Sequence, residues 1–213
     1  PNYTPSGTSV NETATNEPSN FFGGQQLVYD DFSSTTIFTW SEGSVGKDNV
    51  GYENGVYYLD LQDPTVYFTA FLWSVSDKIV EMSDFAIQVD VLGPFYTDWE
   101  QKQGIVFGFQ TDKIGNSYAF DLSYDGTCRL VNRTDDNKWE VINTSNLSDF
   151  DPNSRHTLTV IIENSQYFSG YVDEQQCLSQ IIDYEPGIFG VSGKVSKTSG
   201  KLSFDNFYIF KIP

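Results

Sequence analysis

Two acidic side chains two positions apart, Asp98 and Glu100, flank Trp99. Glycoside hydrolysis needs a pair of carboxylates about 5–10 Å apart, one acting as acid and the other as base or nucleophile. On one strand that chemistry calls for a Glu-x-Asp-x-x-Glu type of triplet with its acids on one face, and the chain contains none. Asp98 and Glu100 therefore read more simply as solvated acids of a polar loop. The single histidine, His156, follows Asn153-Ser154-Arg155 and heads an alternating apolar run. It reads as a strand-entry residue rather than the base of a nucleophilic triad. With one His and two distant Cys, a zinc site is not expected, and there is no glycine-rich phosphate loop.

Binding chemistry is better represented. Aromatic rings stack on the C–H faces of sugars, and a few convergent polar groups fix the hydroxyls. Trp73, Tyr96, Trp99, Tyr118 and Trp139 lie near polar neighbours or loops. The segment Phe95-Tyr96-Thr97-Asp98-Trp99-Glu100-Gln101 offers two large aromatics among hydrogen-bonding groups. Tyr96, Asp98 and Trp99, with Trp73 and Tyr118, are the expected ligand-binding set; the plainer alternative is that Trp99 caps the end of the core. Trp40 and Trp139 are expected to be core.

The 213 residues carry 29 acids against 12 bases, a net charge of −17. A chain of this size can bury about 70% of its unfolded surface, so it does not depend on metals or many disulfides. Phosphate binding needs clustered Lys and Arg, so nucleic acid is an unfavourable partner. No apolar run approaches the roughly 18 residues that span a bilayer, and membrane insertion is not expected. The absence of an initiating Met and of an apolar signal segment suggests a mature or trimmed product. Cys128 and Cys177 are expected to pair in an oxidising compartment, two buried thiols being the alternative. Asn-X-Ser/Thr sequons stand at Asn2, Asn11, Asn132, Asn143 and Asn146, each a candidate for glycosylation. These features together suggest an extracellular or cell-surface anchored protein.

The elements that must position these groups are strands. Residues 1–20 contain fifteen Pro, Asn, Ser, Thr or Gly and only Tyr3, Val10 and Ala14 as apolar residues. Such a segment cannot bury enough surface to order itself, and reads as a tether ahead of one domain at 21–213. Helical periodicity is essentially absent. Phe85, Ile87, Val89 and Val91 alternate, as do Leu158, Val160 and Ile162, and Ile105, Phe107 and Phe109. Turn residues at Glu53-Asn54-Gly55 and Asp125-Gly126 punctuate the runs. About twelve to fourteen strands so spaced predict an all-β fold, two antiparallel sheets packed as a sandwich.

The order of several short motifs resembles the concanavalin A-like, laminin G-like jelly roll of bacterial and archaeal surface proteins. Tyr29-Asp30-Asp31-Phe32 is similar to its opening strand. Trp40 and the hairpin Val50-Gly51-Tyr52-Glu53-Asn54-Gly55-Val56-Tyr57-Tyr58 follow in the family's order. Gly104–Phe107 with Tyr118–Gly126 resemble its central pair, and Gly200–Ile209 its closing strand. The resemblance covers about residues 27–212. It implies a fold that hosts lectins, carbohydrate-binding modules and glycosidases, so it does not assign an activity. It also implies that the first and last strands lie side by side. Between Tyr171 and Cys177 the family's Asn-Gly turn is replaced by Asp173-Glu174-Gln175-Gln176, so no ligand contact is carried over there.

Related sandwiches often hold a structural Ca²⁺ where first and last strands meet. Asp30, Asp31 and Asp205 are the corresponding candidates, with Asp205 expected on the apolar face of the last strand beside Phe207 and Ile209. A carboxylate there needs pairing or a cation. The function expected is a non-catalytic extracellular module, not an enzyme, that recognises carbohydrate or a cell-surface protein. A structural subunit of a surface filament, with possible homo-oligomers, and a glycoside hydrolase-like enzyme are the alternatives.

Overall fold

A computed structural model describes residues 18, 20–33, 38–64, 67–75, 77–93, 101–110, 117–134, 138–195 and 199–213. Tyr96, Asp98, Trp99, Asn2 and Asn11 lie outside these residues, as does nearly all of the expected tether. Among the described residues the chain forms fifteen strands and one four-residue helical turn, α1 (Asp77–Val80).

The nine-stranded sheet holds β1 (Gln25–Asp30), β2 (Gly43–Val45), β3 (Asp48–Glu53), β4 (Val56–Leu61) and β6 (Phe85–Leu92). It also holds β11 (His156–Glu163), β12 (Tyr167–Val172), β13 (Gln175–Ile181) and β15 (Gly200–Lys211). Their order is β13-β12-β11-β6-β15-β4-β3-β2, with β1 added beside the second half of β15. The six-stranded sheet, in order β10-β9-β8-β7-β14-β5, is built from β5 (Phe68–Phe71), β7 (Lys102–Phe109), β8 (Ser117–Ser123), β9 (Thr127–Arg133), β10 (Trp139–Asn146) and β14 (Ile188–Lys194).

Every neighbouring pair is antiparallel, and the first strand pairs with the last as expected. The core lies between the sheets, where Ile87, Val89, Val160 and Ile162 meet Ile105, Phe107, Phe120 and Leu130. At about 25 cal/mol per Å² of apolar surface, each fully buried side chain of this size contributes roughly 1.5–3 kcal/mol. Gly170 shows how close the sheets come, since a Cβ there would meet the Phe120 ring at 2.7 Å.

The Cys128–Cys177 disulfide joins β9 of one sheet to β13 of the other, 49 residues apart in sequence. The chain-entropy model gives such a loop roughly 4 kcal/mol of stabilisation.

Two irregularities redirect side chains that simple alternation would misplace. Gly108 has φ +68°, and the β14–β7 register shifts beside it, between Ile188 and Gly190. Phe109 therefore leaves the core face of Ile105 and Phe107 and packs on the outside with Phe71. On β15 the register shifts between Asp205 and Tyr208, with Asn206 at φ 48°. This bulge keeps Phe204, Phe207 and Ile209 in the core. Asp205 is turned away from Phe207 and Ile209, contrary to the strict alternation expected from the sequence.

Candidate functional site

The register of the six-stranded sheet lines up its outward side chains in rows. One row runs Thr69, Ser192, Gly104, Asp121, Arg129, Thr144, each paired with the next across the strands. The adjacent row, Phe71, Gly190, Val106, Ala119, Val131, Val141, is apolar. Alternation puts these rows on the face opposite the core, because Ile105, Phe120 and Leu130 point inward between them.

Asp121 sits at the centre of the polar row with no exposed surface. Its Oδ1 accepts from Arg129 Nε and its Oδ2 from Arg129 Nη2, both at 2.8 Å, in a forked pair. Tyr67 donates to Asp121 Oδ2 at 3.0 Å and lies 3.0 Å from Ser192 Oγ. Burial, and then the neighbouring Asp121 carboxylate, push the Tyr67 phenol well above its usual range, so it stays a neutral donor. Burial works against the Arg129 charge, but Asp121 outweighs it and leaves the guanidinium above its ordinary value. Gly104 makes room for this cluster, since a Cβ there would lie 2.8 Å from that of Asp121.

Above this floor lies a groove of about 630 Å³. Tyr67 and Trp139 form one wall, their rings 4.8 Å apart and tilted by 38°. The remaining lining is Thr69, Val131, Val141 and five cations: Lys102, Arg129, Arg133, Lys138 and Lys194. Arg133 lies 5.0 Å over the Phe109 ring, a cation–π contact made possible by the Gly108 irregularity. Burial lowers the Arg133 pKa below its usual value.

The expected site residues distribute unevenly over this geometry. Trp73 is 47% exposed just beyond β5 and packs edge-on against Phe71 of the same outer face, but it does not line the groove. Tyr118 is a correction: it is buried, stacked on Phe107, and donates to the Asp183 carbonyl at 2.9 Å. Its parity places it with Phe120 and Leu122 in the core, whatever its polar neighbours suggest. Trp139 is corrected the other way, from expected core to groove wall. Trp40 is core as expected and donates to Asp30 Oδ2 at 3.0 Å.

The acids proposed for calcium are engaged otherwise. Asp30 accepts from the Phe32 amide and from Trp40 Nε1, and Asp31 from the Ser33 amide and hydroxyl. Asp205 is ion-paired with Arg155. Among the described residues no group of three or more His, Cys, Asp or Glu is gathered as a metal site.

His156 begins β11, with Nδ1 2.6 Å from Asp173 Oδ2 and Nε2 2.7 Å from the Asp151 carbonyl. Asp173 and Glu174 both take positive φ in a glycine-free turn. The bonds from Asp173 to His156 and to the Thr157 amide help hold that turn. Of the described sequon residues, Asn146 is exposed, Asn143 is half-buried with Nδ2 bonded to Gln180, and Asn132 has its Oδ1 buried.

No family model and no curated protein matches the chain. Among solved structures it is similar to a Bacillus licheniformis beta-glucanase, at 11% identity and TM-score 0.59 over 89% of this chain and 99% of that one. It is also similar to the catalytic domain of an endo-1,3-beta-glucanase (laminarinase) from Thermotoga petrophila, at 10% identity and TM-score 0.56 over 89% and 98%. The carbohydrate recognition domain of Emp46p matches at 13% identity and TM-score 0.54 over 80% and 88%. At these identities the likeness is one of fold, and the fold is the concanavalin-like jelly-roll sandwich.

Proposed function

We propose that the chain is an exported, non-catalytic carbohydrate-binding domain whose ligand lies in the groove on the six-stranded sheet. The observation that carries this reading is the Tyr67–Trp139 wall standing over a row of hydrogen-bonding groups. A sugar ring offers an apolar C–H face to such a wall and hydroxyls to such a floor. One fold neighbour, the domain of Emp46p, is described as a carbohydrate recognition domain.

The glucanases share the fold, but the described groove lining contains no Asp or Glu. Asp121, at the floor, has both oxygens held by Arg129 and Tyr67. That favours binding over a two-carboxylate hydrolysis. The inter-sheet disulfide supports export to an oxidising compartment.

The test is a printed array of neutral, carboxylated and sulfated oligosaccharides, probed with wild type, Trp139→Ala and Tyr29→Ala. Tyr29 is an exposed aromatic of the opposite sheet. Wild type and Tyr29→Ala should bind the same subset, and Trp139→Ala should lose most of the signal, at least several-fold. An array on which wild type binds nothing, or on which Trp139→Ala matches it, overturns the proposal.

A further inference from the structure

Trp73 stands apart from the groove, yet it shares a row with the groove's wall. Leu72 donates to the Phe189 carbonyl at 3.0 Å, extending the Phe71–Gly190 register so that Trp73 comes level with Ile188. Ile188 pairs with Phe109, Arg133 lies 5.0 Å over the Phe109 ring, and Arg133 pairs with Trp139. One indole therefore stands at each edge of the outer face, Trp139 on β10 and Trp73 just beyond β5. We propose that Trp73 is a second stacking platform. The ligand is then an oligosaccharide laid across the strands, with one sugar on Trp139 in the groove and another on Trp73. This inference rests on the carbohydrate-binding reading and defines its ligand class by length.

Three observations carry it. First, the Trp73 indole is exposed and yet held. It is 47% exposed, but its Nε1 donates to Ser41 Oγ at 3.1 Å and its amide to the Thr39 carbonyl at 2.7 Å. Its ring packs edge-on against Phe71 at 5.4 Å and 66°. A single exposed apolar residue is ordinary on a protein surface. One whose polar atom is satisfied and whose ring is already fixed offers a flat apolar face at little entropic cost. Second, Phe71 belongs to the same outer apolar cluster as Tyr67, Phe109 and Trp139. Trp73 thus extends the aromatic wall instead of standing alone. Third, the ring between the two indoles, Phe109, is overlaid by the Arg133 guanidinium. Two ring platforms separated by a polar group suit a sugar chain, in which apolar ring faces alternate with hydroxyls. An acyl chain or an apolar peptide would need an unbroken apolar strip.

The spacing asks for a chain rather than a single sugar. The sheet order places β14, β7, β8 and β9 between β5 and β10. At a strand spacing of about 4.8 Å the two indoles are separated by roughly 24 Å at most. A disaccharide held in the groove does not reach across that face, whereas a chain of several sugars does. Ser41, which fixes the indole, also accepts from the Phe71 amide at 3.1 Å, so the platform is tied to the backbone of β5 itself.

The test uses oligoglucosides, oligoxylosides, oligomannosides and oligogalacturonates, each as the disaccharide and the hexasaccharide. Calorimetry reads the hexasaccharides and amide chemical-shift titration the weaker disaccharides, on wild type, Trp73→Ala and Trp73→Phe. In at least one series the hexasaccharide should bind more tightly than the disaccharide. Trp73→Ala should weaken that hexasaccharide about tenfold and leave the disaccharide unchanged, and Trp73→Phe should keep most of the affinity. Melting curves should show both variants folded. In wild type, independently of how the variants fold, the Trp73 indole N–H should shift with the hexasaccharide and stay fixed with the disaccharide. If Trp73→Ala binds the hexasaccharide as wild type does and the indole signal never moves, the second platform falls and the groove reading stands. If Trp73→Ala weakens disaccharide and hexasaccharide alike, Trp73 is not a separate platform and the inference again falls alone. If no probe binds wild type, both fall.

Discussion

The two outer faces of the sandwich use the same device with opposite stoichiometry. On the six-stranded sheet one buried acid, Asp121, serves one arginine, and the groove above is lined by basic rather than acidic side chains among the described residues. On the nine-stranded sheet one arginine, Arg155, serves two acids, Asp90 and Asp205. Asp90 also accepts from Thr157 Oγ1 at 2.6 Å and from Asn206 Nδ2 at 2.9 Å. The second face is rich in rings too: Tyr29 and Tyr208 stack at 4.6 Å and 11°, and Phe22 packs on Phe210. Burial first, and then nearby carboxylates, raise the Tyr29 phenol. Aromatic surface alone therefore does not single out a site. On the six-stranded sheet the rings instead line a groove together with a row of hydrogen-bonding groups and basic side chains.

If that contrast is real, removing the acid should matter far more on the first face. Asp121→Ala leaves the half-buried Arg129 without its fork and takes one of the two partners of the Tyr67 hydroxyl. A loss of about 3–5 kcal/mol is expected, read in a denaturant or thermal melt as a fall in Tm of roughly 10 °C. A change under about 1 kcal/mol would mean that Arg129 finds solvent easily and that the floor of the groove is not rigid. Asp205→Ala should cost only about 1 kcal/mol, because Arg155 keeps Asp90 and the pair is partly exposed. If the two substitutions cost the same, the comparison fails.

The smallest expected effect is of pH, at the start of β11 in the nine-stranded sheet. Burial disfavours the His156 imidazolium, but the Asp173 carboxylate and the Asp151 carbonyl outweigh it and raise the pKa above the usual value. A raised folded-state pKa gives stability that is complete below the unfolded value, about 6.5, and is lost as pH rises through the folded one. The Tm advantage of wild type over Asp173→Asn should thus be largest near pH 6, at about 1–2 °C for a partly exposed pair, and shrink in mildly alkaline buffer. An advantage independent of pH would show that Asp173 acts only through the Thr157 amide.

Much of the fold was legible because it is carried by alternation. The strands around Phe85–Leu92, His156–Glu163 and Tyr167–Val172 follow from residue pattern alone, and Asn54-Gly55 marks its hairpin. Gly43–Val45 was not legible, since all three residues are exposed and leave no alternation to read. Nor were the irregularities at Gly108 and Asp205–Asn206, which reverse the side on which Phe109 and Asp205 lie. The groove was hidden for a different reason. Its cations sit at 102, 129, 133, 138 and 194, dispersed in sequence and brought together only by register. Tyr67 and Trp139 are 72 positions apart, so neighbouring residue types could not reveal that they form one wall.

The central claim is the location of the site, and amide chemical-shift mapping tests it most directly. With isotopically labelled protein and an oligosaccharide that binds on the array, the indole N–H of Trp139 and the amides of Val131, Ser192 and Lys194 should shift on titration. Those of Tyr29, Tyr208 and Phe210 should stay fixed. Shifts concentrated on β1 and β15, with the groove amides unmoved, would contradict the account.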